Sequence, residues 1–298
     1  MRYFPTWLYP ILQYLLPTVW AASHYIQRAQ KLLGPEFSKL LREKDQGNWQ
    51  PGQKEETWGL ESLTDLATGE ERDPRNLVHA EILLVLASIP TTVFSEVNVL
   101  FDMMANPEYI DLVRDEIQDV AKDGWSVSSY GSLHKLDSIL RESQRLAPPT
   151  LIGLRRIMKK DHTLSNGVVL PKDSYICVPT YTIQNDVNNT QNPMEYDGLR
   201  SYNKRLGGDG QVDSSKHQFT TTESTVLGFG HSRTACPGRY LASIALKIII
   251  SKLITEFDFK FPNDQTTRPK NGVAHEFLVA DQNAKILMRR REGPSAPV

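Results

Sequence analysis

The chain has 298 residues, 34 basic against 35 acidic side chains, a formal charge of −1 and 40% apolar residues. That apolar share supports a packed core and excludes a disordered or fibrous chain, while the balanced charge gives no electrostatic ground for nucleic-acid binding. Two cysteines, Cys177 and Cys236, are too few for a disulfide framework or a four-cysteine zinc site, which fits a reducing compartment.

Between Arg2 and Arg28 there is no charged side chain, and Tyr3 to Ala22 is mostly aromatic and aliphatic. As a helix this stretch would reach about 30 Å, enough to cross a bilayer core. Pro5, Pro10 and Pro17 argue against one straight span and against a signal peptide. A greasy surface over residues 1–29, lying against a membrane or lining a channel, suits the composition better. Residues 45–73 are polar and glutamate-rich and read as a surface connection. Asp73-Pro74 reads as a helix start, and the run Leu77 to Ala105 as a helix of about 45 Å. Asn106-Pro107 opens the next helix, to about Asp123; another covers about Ser132 to Leu146 and stops at Pro148-Pro149. From Leu151 to Ile183, β-branched residues broken by Asn166-Gly167 and Pro171-Lys172 predict short strands and a hairpin. Residues 203–225 read as a flexible connection, since Gly207-Gly208-Asp209-Gly210 lacks the strand and helix that flank a phosphate loop. Arg239 to Phe257 is the last long helix, and no internal repeat is found. The expectation is a single domain, mainly α with a minor β-sheet. It divides into membrane- or channel-facing helices (1–44), the connection (45–73) and a core (74–298).

The chemistry concentrates in Phe229-Gly230-His231-Ser232-Arg233-Thr234-Ala235-Cys236-Pro237-Gly238-Arg239. This places a cysteine in a tight loop directly before a long apolar helix, where unpaired amides and the helix dipole favour a thiolate. Gly230 and Gly238 would admit a flat partner closely, and Phe229 could pack against it near the sulfur. A buried structural cysteine is the plain alternative. The cluster of glycines, a proline and a helix start weighs against it.

This stretch resembles the cysteine-ligand loop of the cytochrome P-450 haem-thiolate monooxygenases in its fungal form. Phe229, Gly230, Cys236 and Gly238 match that pattern; Ser232 stands at its second glycine and Thr234 at its basic residue. The first change demands an unusual backbone from serine, and the second removes a partner for a haem propionate. Other family motifs follow in order. Glu142-Ser143-Gln144-Arg145 matches Glu-x-x-Arg, and Tyr196-Asp197-Gly198-Leu199-Arg200 supplies Arg200 as the third member of a structural lock beneath the loop. Alone, such a pair is usually a solvated helix face. Arg156, five residues before Asp161, holds the register of a propionate-binding arginine, with Arg155 beside it as the competing choice. Ala87-Ser88-Ile89-Pro90-Thr91-Thr92 falls where the family has a widened turn facing the iron. Thr91 matches the threonine that supports proton delivery to bound dioxygen, and Pro90 replaces an acidic residue. Proline there is expected to free the carbonyl of Leu86 and push the turn apart.

The resemblance implies heme b with Cys236 as the axial iron ligand and an NADPH-dependent reductase as electron donor. It further implies O2 and a lipophilic substrate, terpenoid or polycyclic, in fungal secondary metabolism. The implied location is the endoplasmic reticulum membrane, with surface contact through residues 1–29. It also implies that the chain begins inside the fold. Two competing readings are a non-catalytic truncated relative and a thiol hydrolase pairing Cys236 with His231 or His217.

Overall fold

The structure is a computed structural model that describes Pro5, Leu8 and residues 15–48, 58–122, 124–206, 212–213 and 215–292. Much of the Tyr3–Ala22 stretch and the Gly207–Gly210 cluster lie outside the described residues. The chain divides into two compact units, Met1–Ile89 and Pro90–Val298.

In the first unit, α1 (Pro17–Asp45) starts with proline at its first position, where no amide donor is needed. Phe37, Leu40 and Leu41, spaced three and four apart, turn to one face, and Phe37 and Leu41 pack with Ala67, Leu77 and Val78. Trp20, Tyr25 and Leu32 stay exposed. Residues 45–73 are more than a connection, because they contain α2 (Trp58–Leu66) and a 3-10 turn at Gly69–Arg72. Leu60 and Leu63 carry a helical apolar spacing that the surrounding glutamates conceal, and Lys44 closes the helix by donating to the carbonyls of Thr64 and Asp65 at 3.2 and 2.6 Å.

The long helix, α3 (Pro74–Ala105), begins where Asp73 Oδ1 accepts the Arg75 amide at 2.8 Å. It is helical on both sides of Pro90, where the opened turn was expected, and the division between the units falls at Ile89/Pro90. Leu83, Leu84, Leu86, Ile89 and Val93 are exposed, and by length and composition this is the described helix apolar enough to cross a membrane.

The second unit is built on α4 (Glu108–Ala121), α5 (His134–Leu146) and α8 (Arg239–Glu256), with the short α6 (Thr180–Gln184) and α7 (Arg200–Arg205) between them. Val113 and Ile117 of α4, Leu136, Ile139 and Leu140 of α5, and Leu246, Ile250 and Ile254 of α8 form one buried cluster with Met103 and Phe219. No side chain of its own caps α5; instead the buried Glu116 of α4 accepts the amides of Lys135 and Leu136 at 2.7 and 3.1 Å. Burial raises the Glu116 carboxyl above its ordinary range despite those two bonds.

The strands are short and antiparallel. Strand β1 (Gly153–Ile157) pairs with β4 (Tyr175–Val178), and β2 (His162–Thr163) with β3 (Val169–Leu170) in the hairpin expected around Asn166-Gly167. Further on, β5 (Phe257–Lys260) pairs with β8 (Leu287–Arg290), and β6 (Gly272–Ala274) with β7 (Phe277–Val279). Arg114 closes the end of α8 by donating to the carbonyls of Ile254 and Phe257 at 2.9 and 3.1 Å.

Candidate functional site

Cys236 sits two residues before α8, in a loop that closes on itself through its own amide, which donates to the Phe229 carbonyl at 2.7 Å. The Gly230 amide reaches the Leu227 carbonyl at 2.9 Å, and the Ala235 amide reaches Ser232 at 3.0 Å. Gly230 has φ +77°, and a Cβ there would lie 2.9 Å from the Thr234 carbonyl oxygen, so the turn requires glycine. Ser232 holds φ +54°, the left-handed backbone that its position demands of a residue other than glycine. Thr234 is exposed, and its hydroxyl donates back to the His231 carbonyl at 3.0 Å. Gly238 is the residue before the first turn of α8; a Cβ there would meet only the Cys236 sulfur at 3.9 Å.

The Cys236 side chain is exposed rather than buried, which removes the structural-cysteine alternative. It stands before the first α8 amides, whose N–H groups have no partner within the helix. Two nitrogens of the same segment, His231 Nδ1 and Arg239 Nε, are buried with no hydrogen-bond partner, while Arg239 Nη1 donates to the Cys236 carbonyl at 2.8 Å. Among the described residues neither His231 nor His217 is hydrogen-bonded to Cys236, so the geometry offers no activated thiol–imidazole pair. An accessible thiol, a loop that spares side-chain bulk and the unpartnered nitrogens of the same segment fit a flat group bound through sulfur.

Behind the loop, Glu142, Arg145 and Arg200 meet. Arg145 Nη2 and Nε donate to the two Glu142 oxygens at 2.6 and 3.0 Å, and Arg200 Nε lies 3.2 Å from Oε1. Their side chains are only 3, 10 and 14% exposed, so this is a buried network rather than a solvated helix face. Arg145 also reaches Asn185 Oδ1 and the Pro193 carbonyl, both at 2.5 Å. Helix α5 approaches the cysteine loop so closely that a Cβ on Gly228 would fall 2.2 Å from Gln144 Oε1. Gln184 of α6 steadies the same stretch by accepting the Leu227 amide at 2.8 Å.

The two arginines of β1 differ in their partners, next to a register irregularity between Gly153 and Arg156. Arg155 pairs with Glu276 at 3.2 Å and lies over the Phe277 ring, whereas the exposed Arg156 donates only to the neighbouring Arg155 carbonyl. Arg155 is thereby committed to the β7 hairpin, and Arg156 keeps its guanidinium available. Thr91 is exposed on α3, and its carbonyl accepts the Ser95 hydroxyl at 3.0 Å.

Several residues escaped the sequence reading. Asp137 is buried and ion-paired with Arg205 and Lys247, and Glu116 caps α5. A lone lysine inside the apolar run Ile244–Ile250 was a visible signal for Lys247; nothing local marked Asn185 or Arg205.

The sequence profile of the family described as Cytochrome P450 matches residues 3–288. Cytochrome P450 monooxygenase AN1598 of Emericella nidulans is 38% identical over 293 residues, covering 98% of this chain and 54% of the relative. Cytochrome P450 monooxygenase olcJ of Penicillium canescens is 37% identical with the same coverage. An ent-kaurene oxidase of Gibberella intermedia is 34% identical over 98% of this chain and 53% of its own length. The chain thus spans about half the length of these curated relatives. Among solved structures, retinoic acid-bound cyanobacterial CYP120A1 has the same fold, with a TM-score of 0.65 and 21% identity over 89% of this chain and 57% of its own. The chain belongs to the cytochrome P450 family.

Proposed function

We propose that this chain is the haem-thiolate core of a monooxygenase that inserts one oxygen atom from O2 into a lipophilic small molecule. One observation carries the reading: an exposed Cys236 thiol at the head of α8, in a loop pinned by its own amide to the Phe229 carbonyl. Haem b bound through that sulfur would supply the activation of dioxygen. The chain supplies the rest. Cys236 stands just before the start of α8, and Phe229 of the same loop accepts its amide at 2.7 Å. Arg156, with the unpaired nitrogens of His231 and Arg239, offers cations and donors to propionate groups. Thr91, next to Pro90 on α3 and exposed, is the residue we assign to proton delivery, in the role of the family's threonine.

A separate NADPH-dependent reductase would deliver electrons. Relatives that include ent-kaurene oxidases support a terpenoid or polycyclic substrate in fungal secondary metabolism. The exposed Trp20, Tyr25 and Leu32 of α1 suit contact with the endoplasmic reticulum membrane. A non-catalytic relative is the second reading, favoured by the strained Ser232 and by Thr234 at the basic position.

The absorption spectrum of the reduced, carbon monoxide-bound protein tests the proposal. A strongly red-shifted Soret band is expected, and Cys236→Ser should lose it while keeping its helix content, because a neutral hydroxyl is a poor iron ligand. An unshifted haem band in the wild type favours the second reading. A Ser variant that keeps the shifted band refutes Cys236 as the ligand.

A further inference from the structure

We infer that Asp137 is a positioning residue for the Cys236 loop, because this one buried carboxylate holds both arms of the chain that lead into and out of it. The inference rests on the haem-thiolate reading above for its consequence, though not for its geometry.

Asp137 lies on the buried face of α5 and collects three donors. Lys247 Nζ, from α8, approaches Oδ1 at 2.8 Å, and Arg205 Nη2, from α7, bonds to Oδ2. The Phe219 amide donates to the same Oδ2 at 2.8 Å. All three charged side chains are at most 7% exposed. Lys247 fixes the outgoing arm, since α8 begins just after Cys236 and the lysine sits about two turns along it. Its ammonium also donates to the Tyr130 carbonyl at 3.1 Å, so the helix is held against sliding and rotation.

The incoming arm is gripped from both sides. Arg205 donates to the His217 carbonyl at 2.8 Å while Asp137 takes the Phe219 amide, which fixes the backbone across residues 217–219. Phe219 is buried, and its ring meets the Phe229 ring edge-on, with centroids 4.9 Å apart and planes at 72°. Phe229 in turn receives the Cys236 amide on its carbonyl. A continuous path of contacts therefore runs from Asp137 through Phe219 and Phe229 to the backbone of the cysteine.

Stability alone does not account for this arrangement. Taking two cations and a carboxylate out of water is costly, and apolar side chains of similar volume are generally as stabilising. What the charges add is direction, fixing helix, segment and loop against one origin. The Glu142 network has a different reach, since it ties α5 to residues 185–200.

The test uses the full chain as Lys247→Met, Asp137→Asn and Phe219→Leu, with Phe101→Leu in the separate cluster around Phe261 as the control for lost stability. Two readouts are taken: amide hydrogen exchange of the peptide spanning 229–238 in haem-free protein, and the share of the red-shifted carbon monoxide band after haem loading. Each of the three variants should speed exchange in that peptide at least tenfold and reduce the shifted band several-fold, while Phe101→Leu changes neither. Phe219→Leu keeps every charge and the backbone amide, so it reports on the ring contact even if a charge variant fails to fold. Wild-type exchange and an intact band in Phe219→Leu overturn the inference, as does a control that reproduces the changes. A wild type with no shifted band, in which Phe219→Leu still speeds exchange at 229–238, refutes the haem-thiolate reading and leaves the positioning role standing.

Discussion

Replacing Glu142 with alanine removes the one carboxylate shared by two buried guanidinium groups. Glu142 accepts two bonds from Arg145, two from Arg200 and one from the Asp197 amide, at 2.6 to 3.3 Å. Charge-assisted bonds are worth roughly 1.5–3 kcal/mol each, so a simple sum over the five would be about 8–15 kcal/mol. That sum overshoots, because Arg145 keeps Asn185 and the Pro193 carbonyl, and Arg200 keeps the carbonyls of Gln191 and Glu195. What remains is two desolvated cations without a counter-charge, a cost of about 3–5 kcal/mol. A domain of ordinary stability, about 5–15 kcal/mol, loses a large part of its margin. Urea denaturation followed by far-ultraviolet circular dichroism measures the loss. Glu142→Ala with Arg145→Leu should recover at least about 1 kcal/mol relative to Glu142→Ala alone, since one stranded cation is gone. A single Glu142→Ala variant within about 1 kcal/mol of wild type would show that water enters the network, and the lock would be no more than a surface feature.

The left-handed backbone at Ser232 orders its substitutions: Ser232→Val should cost about 2 kcal/mol and Ser232→Gly should cost nothing or stabilise slightly, as read from melting temperatures. Asp102, buried on α3, has its carboxyl raised to about 6, first by desolvation and against the opposing pull of Arg268. Its folded value exceeds its unfolded one, so this group favours folding in its protonated form and that advantage disappears as pH rises from about 4 to about 6, by up to roughly 3 kcal/mol. Relative to wild type, Asp102→Asn should therefore gain stability across that interval, and a flat difference between the two melting curves refutes the assignment.

What the sequence disclosed follows how far apart the interacting residues lie along it. The long helices were legible because their apolar period repeats within a few turns, and Arg239–Glu256 ends one residue from the expected boundary. The hairpin at Asn166-Gly167 was legible because its turn chemistry is written in two residues. The Asp137 triad was not, since its partners lie 68 residues away at Arg205 and 82 away at Phe219. Helix α2 is hidden for the opposite reason: it is only nine residues long, and its buried Glu61 and Thr64 are polar residues that in sequence look solvent-facing.

The cysteine loop combines both kinds of information. Gly230 declares its turn locally, whereas Ser232 breaks the local rule and still adopts φ +54°. A strained backbone persists only where its surroundings leave no alternative. Here the Thr234 amide and hydroxyl both return to the His231 carbonyl, Ala235 returns to Ser232, and Cys236 returns to Phe229. Thr234, a departure from the resemblance at the basic position, thus contributes a hydroxyl that steadies the other departure two residues earlier. The pair makes a specific demand: Thr234→Val keeps the shape and loses that one bond, so it should loosen the loop at Ser232 but have little effect in a Ser232→Gly background. Equal changes in both backgrounds, measured by amide exchange across residues 229–238, would separate the two departures and leave Ser232 without its local support.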